Sequence, residues 1–584
     1  VVTGTRGAGV HAFAPSVVAA NERFDISVRA EDRFYNRATG SLPAWRVSLN
    51  GALIADIPAS TEPIQVIRDV RLETAGVYRL SIQSADGSIT GTGNPILVEN
   101  DPHRRIYWGD THGHSGFAEG VGTPKRFMTW ARDDARLDYV THSEHDIWLD
   151  DFEWEVLRNN IKKYSVDGEF VAFLGYEWTI RNTQGGHHNV LFRSPEGRHR
   201  VPARTHGTLS KLYQGLRTQH DPADVVVIPH AHQAGDYRLN DPLLEPLIEV
   251  MSQHGTFEWF GRMYLKQGHQ VGFTAASDNH LSQPGYTAPK GGSLSQRGGL
   301  GALRALEKSR DTLFDAMKDL ASYATTGDRM ILDVSLNGVE MGQRARFSKE
   351  RKIRGRIIGT GPIDTVTILR NDKAVWTRDY LQDNAKRPSS SGTFHVTFQS
   401  DSEPRNPGDN PRGWRLWQGT LRLTGATLTE VSGTDFHNTN LQSLKVLDNR
   451  TLEFSTHTRG DTSSIVLDLA DIRRAGRIDI ELAEAREFGG APPIFRAPQN
   501  IPAASVTLAF GEIKDGRVTT SLVQDDYVDT ISLRSVVTDG PNDVEFEFDD
   551  QGNGHGDYYY VRVLQANDAL AWSSPIWVGG YPKR

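Results

Sequence analysis

The sequence predicts an α/β domain, its strands parallel in an open sheet or a barrel, set between all-β regions. Three observations predict this. The 584 residues exceed one ordinary core, so two to four domains are expected. The two ends carry period-2 alternation, the pattern of half-buried strands. The middle alternates short apolar runs with helical stretches, the order that implies parallel strands.

Taken in order, residues 1–100 read as a β-sandwich. Phe24–Ala30 and Val77–Ile82 alternate apolar and polar residues, and Asn36–Gly40 and Ala85–Gly87 supply turns between such runs. Residues 101–330 hold helical stretches at Pro124–Ala135, Phe152–Tyr164, Leu209–Gln219, Phe257–Gln267 and Leu303–Leu320. From 331 to 584 β patterning returns, as in Lys352–Ile358, Thr365–Leu369, Ser463–Leu469 and Tyr558–Val563, enough for one or two sandwich-like units. The polar stretch Asp383–Asn410 reads as a long loop. Gly291–Gly301 is Gly-rich but lacks the Gly-Lys-Ser/Thr ending of a phosphate-binding loop, and reads as a linker beside a strand end.

Composition excludes several functions. The chain is 38% apolar and 24% charged, ordinary for a globular protein. No run approaches the roughly 18 apolar residues of a membrane helix. A net charge of −8 without basic clusters argues against nucleic acid as a partner. With no cysteine, disulfides, thiolate metal sites and cysteine nucleophiles are excluded. The chain begins Val1-Val2-Thr3, as a removed leader or a trimmed chain would both give. The lean is to a periplasmic or secreted protein, with the compartment and the oligomeric state left open.

Histidine is the informative residue. Fifteen of the 20 histidines lie between His103 and His280, where an even spread would place about six. Six apolar runs each end in imidazoles or carboxylates. Ile106–Trp108 leads to Asp110, His112 and His114. Leu137–Thr141 leads to His142, Glu144, His145 and Asp146. Phe170–Leu174 precedes Glu177, Val225–Ile228 precedes His230 and His232, Leu247–Met251 precedes His254, and Val271–Ala276 precedes Asp278 and His280. In parallel α/β architectures the C-terminal strand ends share one face, so these groups should converge there. Imidazoles and carboxylates without thiolates suit Zn, Mn or Fe, and so many donors suit two or three neighbouring ions. Such ions activate water, which makes hydrolysis the expected chemistry.

Singly, each residue has a plain alternative. Glu177 could cap a helix, His230 could be a satisfied core histidine, and Asp278 could open an Asx turn. His142, His187, His188 and His232 suit positioning or substrate contact as well as coordination. Arg181, Arg262 and Arg329 could hold an anionic group or merely make surface ion pairs.

The residues together resemble a known family. Asp110-Thr-His-Gly-His-Ser115 resembles the opening motif of the PHP (polymerase and histidinol phosphatase) metallohydrolases. Ser143-Glu-His-Asp146, Gly175-Tyr-Glu177, Pro229-His230 and Asp278-Asn-His280 are similar to its later motifs, in order, over residues 104–330. Gly175–Thr179, Gly186-His187, Tyr323–Arg329 and Ala571–Trp577 resemble a branch with flanking β domains, related to bacterial carbamate-ester hydrolases. The resemblance implies a distorted seven-stranded (β/α) barrel flanked by β-sandwich domains, with two or three divalent ions. It implies that His112, His114, Glu177 and Asp278 hold one ion, that Glu177 bridges to a second held by His230 and His254, and that His145 and His280 serve a third. The third position usually takes another histidine where this chain has Gly120, beside Glu119. Glu144 stands where the family has aspartate.

The expected protein is thus a metal-dependent hydrolase that uses activated water to cleave a small-molecule ester, foremost a phosphate mono- or diester. A carboxyl-ester or carbamate hydrolase is the alternative. A non-catalytic protein with a structural metal site and carbohydrate- or partner-binding β modules is the reading from another class. His145, His280 and Glu144 are the catalytic candidates. His187, His232, Arg181 and Arg329 are candidates for substrate contact or ligand support.

Overall fold

The computed structural model describes residues 4–285, 298–381, 390–406, 409–434, 436, 438, 440–489, 499–513 and 516–580. Residues 291–297 of the Gly-rich stretch and residues 383–389, 407 and 408 of Asp383–Asn410 lie outside them. Strand dominates, and the described residues form five α-helices. None is long and apolar enough to cross a membrane.

The first hundred residues pack two main sheets face to face. One orders Gly9–Phe13, Arg23–Glu31 and Ile64–Arg71, the other Ala52–Ile57, Trp45–Leu49, Leu80–Ser84 and Thr90–Thr92. Their alternating inward residues, Val10, Ile26 and Val28 against Val47, Leu80 and Ile82, make one core. This unit is tied to the next by ions at the seam. Asp134 accepts from Arg37 at 2.7 and 2.5 Å and from Arg29 at 3.4 Å, and Arg105 meets Glu22 at 2.7 Å.

The expected (β/α) barrel is not there. The middle region forms an open mixed sheet in the order Val225–Pro229, His188–Phe192, Val171–Trp178, Tyr139–His142, Arg105–Asp110, Leu300–Ala305, Ser322–Thr325. Only the pairs joining Arg105–Asp110, Tyr139–His142 and Val171–Trp178 are parallel. His188–Phe192 and Leu300–Ala305 enter antiparallel, and the sheet does not close. It runs on through Leu570–Ser573, Asp557–Gln565, Ile363–Arg370 and Lys373–Asp379. The boundary expected at 330 therefore falls inside one continuous core, where Trp108, Val140 and Leu174 share a cluster with Leu332, Ile357 and Val561.

Four expected helices form close to their predicted bounds, for visible local reasons. Asp151–Tyr164 starts with a capping box between Asp150 and Glu153 and buries Trp154, Leu157, Ile161 and Tyr164 at helical spacing. Leu209–Gln219 is capped by Thr208 and buries Leu209, Leu212 and Leu216. The fifth differs. Leu303–Leu320 splits into the strand Leu300–Ala305 and the helix Arg310–Lys318, started by the Ser309 cap.

Residues 392–536 build a sandwich of two five-stranded sheets over a core of Phe394, Phe398, Leu421, Ile465, Ile480 and Leu533. The Ala571–Trp577 segment braces the central region. Ser574 Oγ accepts the Phe273 N–H at 3.0 Å, and the Trp572 indole donates to Glu258 at 3.1 Å. That brace holds the strand Gly272–Thr274, which leads into Asp278.

Candidate metal centre

One sheet edge gathers the chemistry without a barrel. The parallel strands end there with Asp110, His142 and Glu177, and Val225–Pro229, antiparallel to its neighbour, ends there too. His188–Phe192 runs the other way, so its start, with His187 and His188, lies at the same edge. The parallel pair Leu247–Glu249 and Gly272–Thr274 brings in the loops of His254, Asp278 and His280.

Backbone contacts lock these loops together. The Asp110 carboxylate accepts from the N–H groups of His112 at 3.1 Å, Ser277 at 3.0 Å and Gly285 at 2.6 Å. The His114 N–H donates to the Asn279 carbonyl, and the Asp278 N–H to that of His112, both at 2.8 Å. Gly113 must be glycine, because a Cβ would meet the Phe127 ring at 2.9 Å. Asp278 sits at φ +54°, a left-handed conformation that costs a non-glycine residue energy and is held here by its surroundings.

Two buried carboxylates organise the imidazoles. Glu177 Oε2 lies 3.2 Å from His112 Nε2, His114 Nε2 and His145 Nδ1. Its Oε1 lies 2.6 Å from His187 Nδ1 and 3.1 Å from His230 Nε2. Asp278 Oδ1 is 3.2 Å from both His112 Nε2 and His114 Nε2, and its Oδ2 is 3.1 Å from His254 Nε2 and 3.6 Å from His232 Nδ1. The family resemblance pairs His254 with His230 on Glu177. The structure instead sets His254 beside His232 on Asp278, their rings stacked at 4.0 Å. Asp278 thus faces two imidazole groups, as Glu177 does.

Electrostatics follow from burial and crowding. Burial raises the Glu177 and Asp278 carboxyls, but the imidazoles win and hold both well below the usual carboxylate range, chiefly His145 and His187 for Glu177 and His112 and His254 for Asp278. Burial lowers His114, yet Asp278 and Glu177 lift it to about 9. Burial and the charge of His112 push His230 down to about 3.

The donor set fits divalent cations. His145 Nε2, His230 Nδ1 and His232 Nδ1 are buried without a hydrogen-bond partner. Such atoms cost about 1–3 kcal/mol each unless something satisfies them. Five groups of three donors, drawn from His112, His114, His145, Glu177, His187, His230, His232, His254, Asp278 and His280, lie within 4.8 Å of one another. Nitrogen and carboxylate oxygen without sulfur suit Zn, Mn or Fe.

Other expected residues take different places. Glu144, expected as a catalytic group, is fully buried behind the cluster. It accepts from the Ser115 N–H at 2.8 Å and the Ser115 hydroxyl, and pairs with His142 at 2.8 Å. It therefore positions the His114 loop and is closed off from solvent. Arg329 is committed to the protein's own backbone. It is buried over the Phe13 ring and donates to the carbonyls of Ala135 at 2.7 Å and Arg136 at 2.9 Å. Arg262 pairs with Asp372 at 2.9 Å and Glu403 at 2.7 Å. Arg181 is exposed at the start of the short turn Asn182–Gln184, beyond the Glu177 strand.

Sequence reasoning missed Glu249, whose Oε2 lies 3.1 Å from His112 Nδ1. Its signal was an acidic residue inside the apolar run Leu247–Met251. The carboxylate fixes the ring so that Nε2 faces Glu177 and Asp278, the usual support for a metal-bound histidine. Glu249→Gln is expected to weaken cation binding at this position by about 10- to 100-fold while leaving the number of ions unchanged. A metal titration of the chelated protein checks this, and unchanged affinity would remove Glu249 from the centre.

The family model described as "Protein of unknown function (DUF3604)" matches residues 124–236. That span includes His142, His145, Glu177, His187, His230 and His232. The chain is 22% identical over 407 residues to an uncharacterised protein of Chlamydia pneumoniae, and 25% identical over 414 residues to one of Chlamydia muridarum. Each match covers 63% of this chain and 65% of the relative, so the chain spans less than two thirds of these relatives' length. A solved β-glucuronidase of Parabacteroides merdae overlaps 86% of this chain and 76% of its own at 7% identity and a TM-score of 0.16, which carries no weight for fold or activity.

Proposed function

We propose that this chain is a metal-dependent ester hydrolase, with a phosphate mono- or diester as its substrate class. The observation that carries the reading is the Glu177–Asp278 pair, two buried carboxylates whose oxygens together face imidazole nitrogens from several chain segments. The order of the PHP-like motifs supports the same reading. Neighbouring divalent ions, when bound, lower the pKa of water and neutralise negative charge on attacking and leaving oxygens.

The chain's own residues prepare that chemistry. Glu249 and Glu144 fix the rings and loops of His112 and His114. His187 holds a proton at Nδ1, because Glu177 Oε1 accepts it at 2.6 Å. An anionic ester with several oxygens suits a wall where cations sit close together. A second reading, an aryl carboxyl ester or carbamate, is favoured by Trp148. This half-exposed indole stands edge-on to His145 at 5.0 Å and offers an apolar surface beside the donors.

The test begins with the purified chain. Removing metal with a chelator is expected to abolish turnover of bis-(p-nitrophenyl) phosphate, and adding Mn or Zn to restore it. Turnover of naphthyl acetate alone would move the substrate to the carbonyl class. Tightly bound metal with no turnover of either probe would favour a structural centre over an enzyme.

A further inference from the structure

We infer that Glu119 completes a further cation site with His145 and His280, on the solvent-facing side of the cluster. The inference rests on the metal-centre reading above and adds a ligand at the position where Gly120 stands in place of the histidine the resemblance expects.

The tautomers come first. Thr179 Oγ1 donates to the Glu177 carbonyl at 3.0 Å, which leaves it to accept from His145 Nδ1 at 2.8 Å. His280 Nδ1 lies 2.9 Å from the Asp278 carbonyl, which can only accept. The His145 ring therefore carries its proton on Nδ1 and presents a lone pair at Nε2. His280 Nδ1 lies between that carbonyl and the Gln253 amide nitrogen, a donor at 3.1 Å, so position and not tautomer brings its Nε2 to the site. Those two nitrogens face the same oxygen. Glu119 Oε2 lies 3.4 Å from His145 Nε2 and 3.9 Å from His280 Nε2. The lone pair at His145 Nε2 does not attract a carboxylate, but a cation placed among the three atoms attracts them all. His145 Nε2 is buried and has no hydrogen-bond partner.

The spacing suits an ion. Two donors each about 2.1 Å from a metal, at a tetrahedral angle, stand about 3.4 Å apart. His114 backs the position, stacked on His145 at 4.6 Å and lying 4.3 Å from His280. The backbone explains why Glu119 is the residue that arrives. The Val121 N–H donates to the His280 carbonyl at 2.8 Å, and the Ser282 hydroxyl donates to the Val121 carbonyl at 2.8 Å, so the loop is pinned against His280. Gly120 has no room for a side chain, since a Cβ would stand 2.6 Å from the Ser115 carbonyl oxygen and 2.9 Å from that of His280. The neighbouring carboxylate takes the place the resemblance gives to a histidine at 120.

The Glu119 side chain is 58% exposed, whereas Glu177 and Asp278 are 1% exposed. Two imidazoles and one carboxylate, with one side open to water, is the donor pattern of catalytic zinc sites that keep a position for water or substrate. This cation is therefore the exchangeable one.

The experiment is a titration of the chelated full chain with Mn or Zn, read by calorimetry and elemental analysis. The wild type should take up three ions, one more weakly than the rest. Glu119→Gln should take up two, and Glu119→His should regain the third. Because Glu119 is largely exposed, the variants should keep the wild-type thermal unfolding temperature. Three ions bound unchanged by Glu119→Gln, or only two by the wild type, would overturn this site and leave the metal-centre reading standing. No ion bound by the wild type would overturn both.

Discussion

Glu177→Gln is expected to lower kcat/KM for the phosphate probe by about 1,000-fold or more and to remove tight binding of more than one cation. The argument starts from the two oxygens. Oε2 faces His112, His114 and His145, and Oε1 faces His187 and His230. Within 3.2 Å Glu177 meets five imidazoles, whereas Asp278 meets three, His112, His114 and His254. An amide keeps the shape but loses the charge, and it replaces one oxygen with an NH₂ that cannot ligate. Losing about 4 kcal/mol of charge stabilisation corresponds to about three decades of rate. Metal content distinguishes this from a support role. Glu249→Gln should keep every ion at reduced affinity, whereas Glu177→Gln should lose ions outright. Full metal content in Glu177→Gln, with near-normal turnover, would remove Glu177 from the centre and the proposed function with it.

Much of the centre was legible because its chemistry restricts residue type. In a chain without cysteine, imidazoles and carboxylates are the side chains that suit Zn, Mn or Fe, and their positions after apolar runs marked His112, His114, Glu177, His230 and Asp278 as residues to look for together, as the structure has them. The helix Leu209–Gln219 was legible for a similar reason, since Thr208 caps it and its leucines recur at helical spacing. The barrel was misread because periodicity carries no strand direction. His188–Phe192 is buried on both faces and looks the same parallel or antiparallel. Leu300–Ala305 was partly absorbed into a helix because its apolar residues precede a helix with its own leucine and phenylalanine. Glu119 lay beside Gly120, where the resemblance places a histidine with His145 and His280, yet a one-residue offset gave no sign that its side chain reaches them. The pairing of His254 with His232 was also hidden, because it depends on how two loops from different strands stack.

The part of the chain least legible as functional is the C-terminal sandwich, and Arg459 gives the second large effect. Arg459 is buried and donates to the carbonyls of His254 at 2.7 Å, Arg412 at 2.6 Å and Pro411 at 3.3 Å. Its guanidinium lies 5.3 Å from the Phe257 ring and 5.9 Å from that of Trp414. The Thr256 N–H donates back to the Arg459 carbonyl at 2.9 Å, and Ser402 Oγ donates to the Thr256 carbonyl at 3.2 Å. Nearby, Asn410 Oδ1 accepts the Ala234 N–H at 3.0 Å, just beyond His232. The sandwich therefore grips the loops of both imidazoles that face Asp278 Oδ2. Arg459→Met keeps apolar volume but strips the donors from three carbonyls, each worth about 1–3 kcal/mol when left unpaired. The variant should unfold at a lower temperature, and the cation held by His232, His254 and Asp278 should bind about 10- to 100-fold more weakly, while ions on the Glu177 side keep their affinity. Arg459→Lys, which can reach one carbonyl but not three, should fall between. If Arg459→Met lowers thermal stability but leaves every cation affinity unchanged, the sandwich is a structural prop and the site ends at the central sheet. If one class of cation weakens alone, residues more than 200 positions beyond His254 are part of the centre.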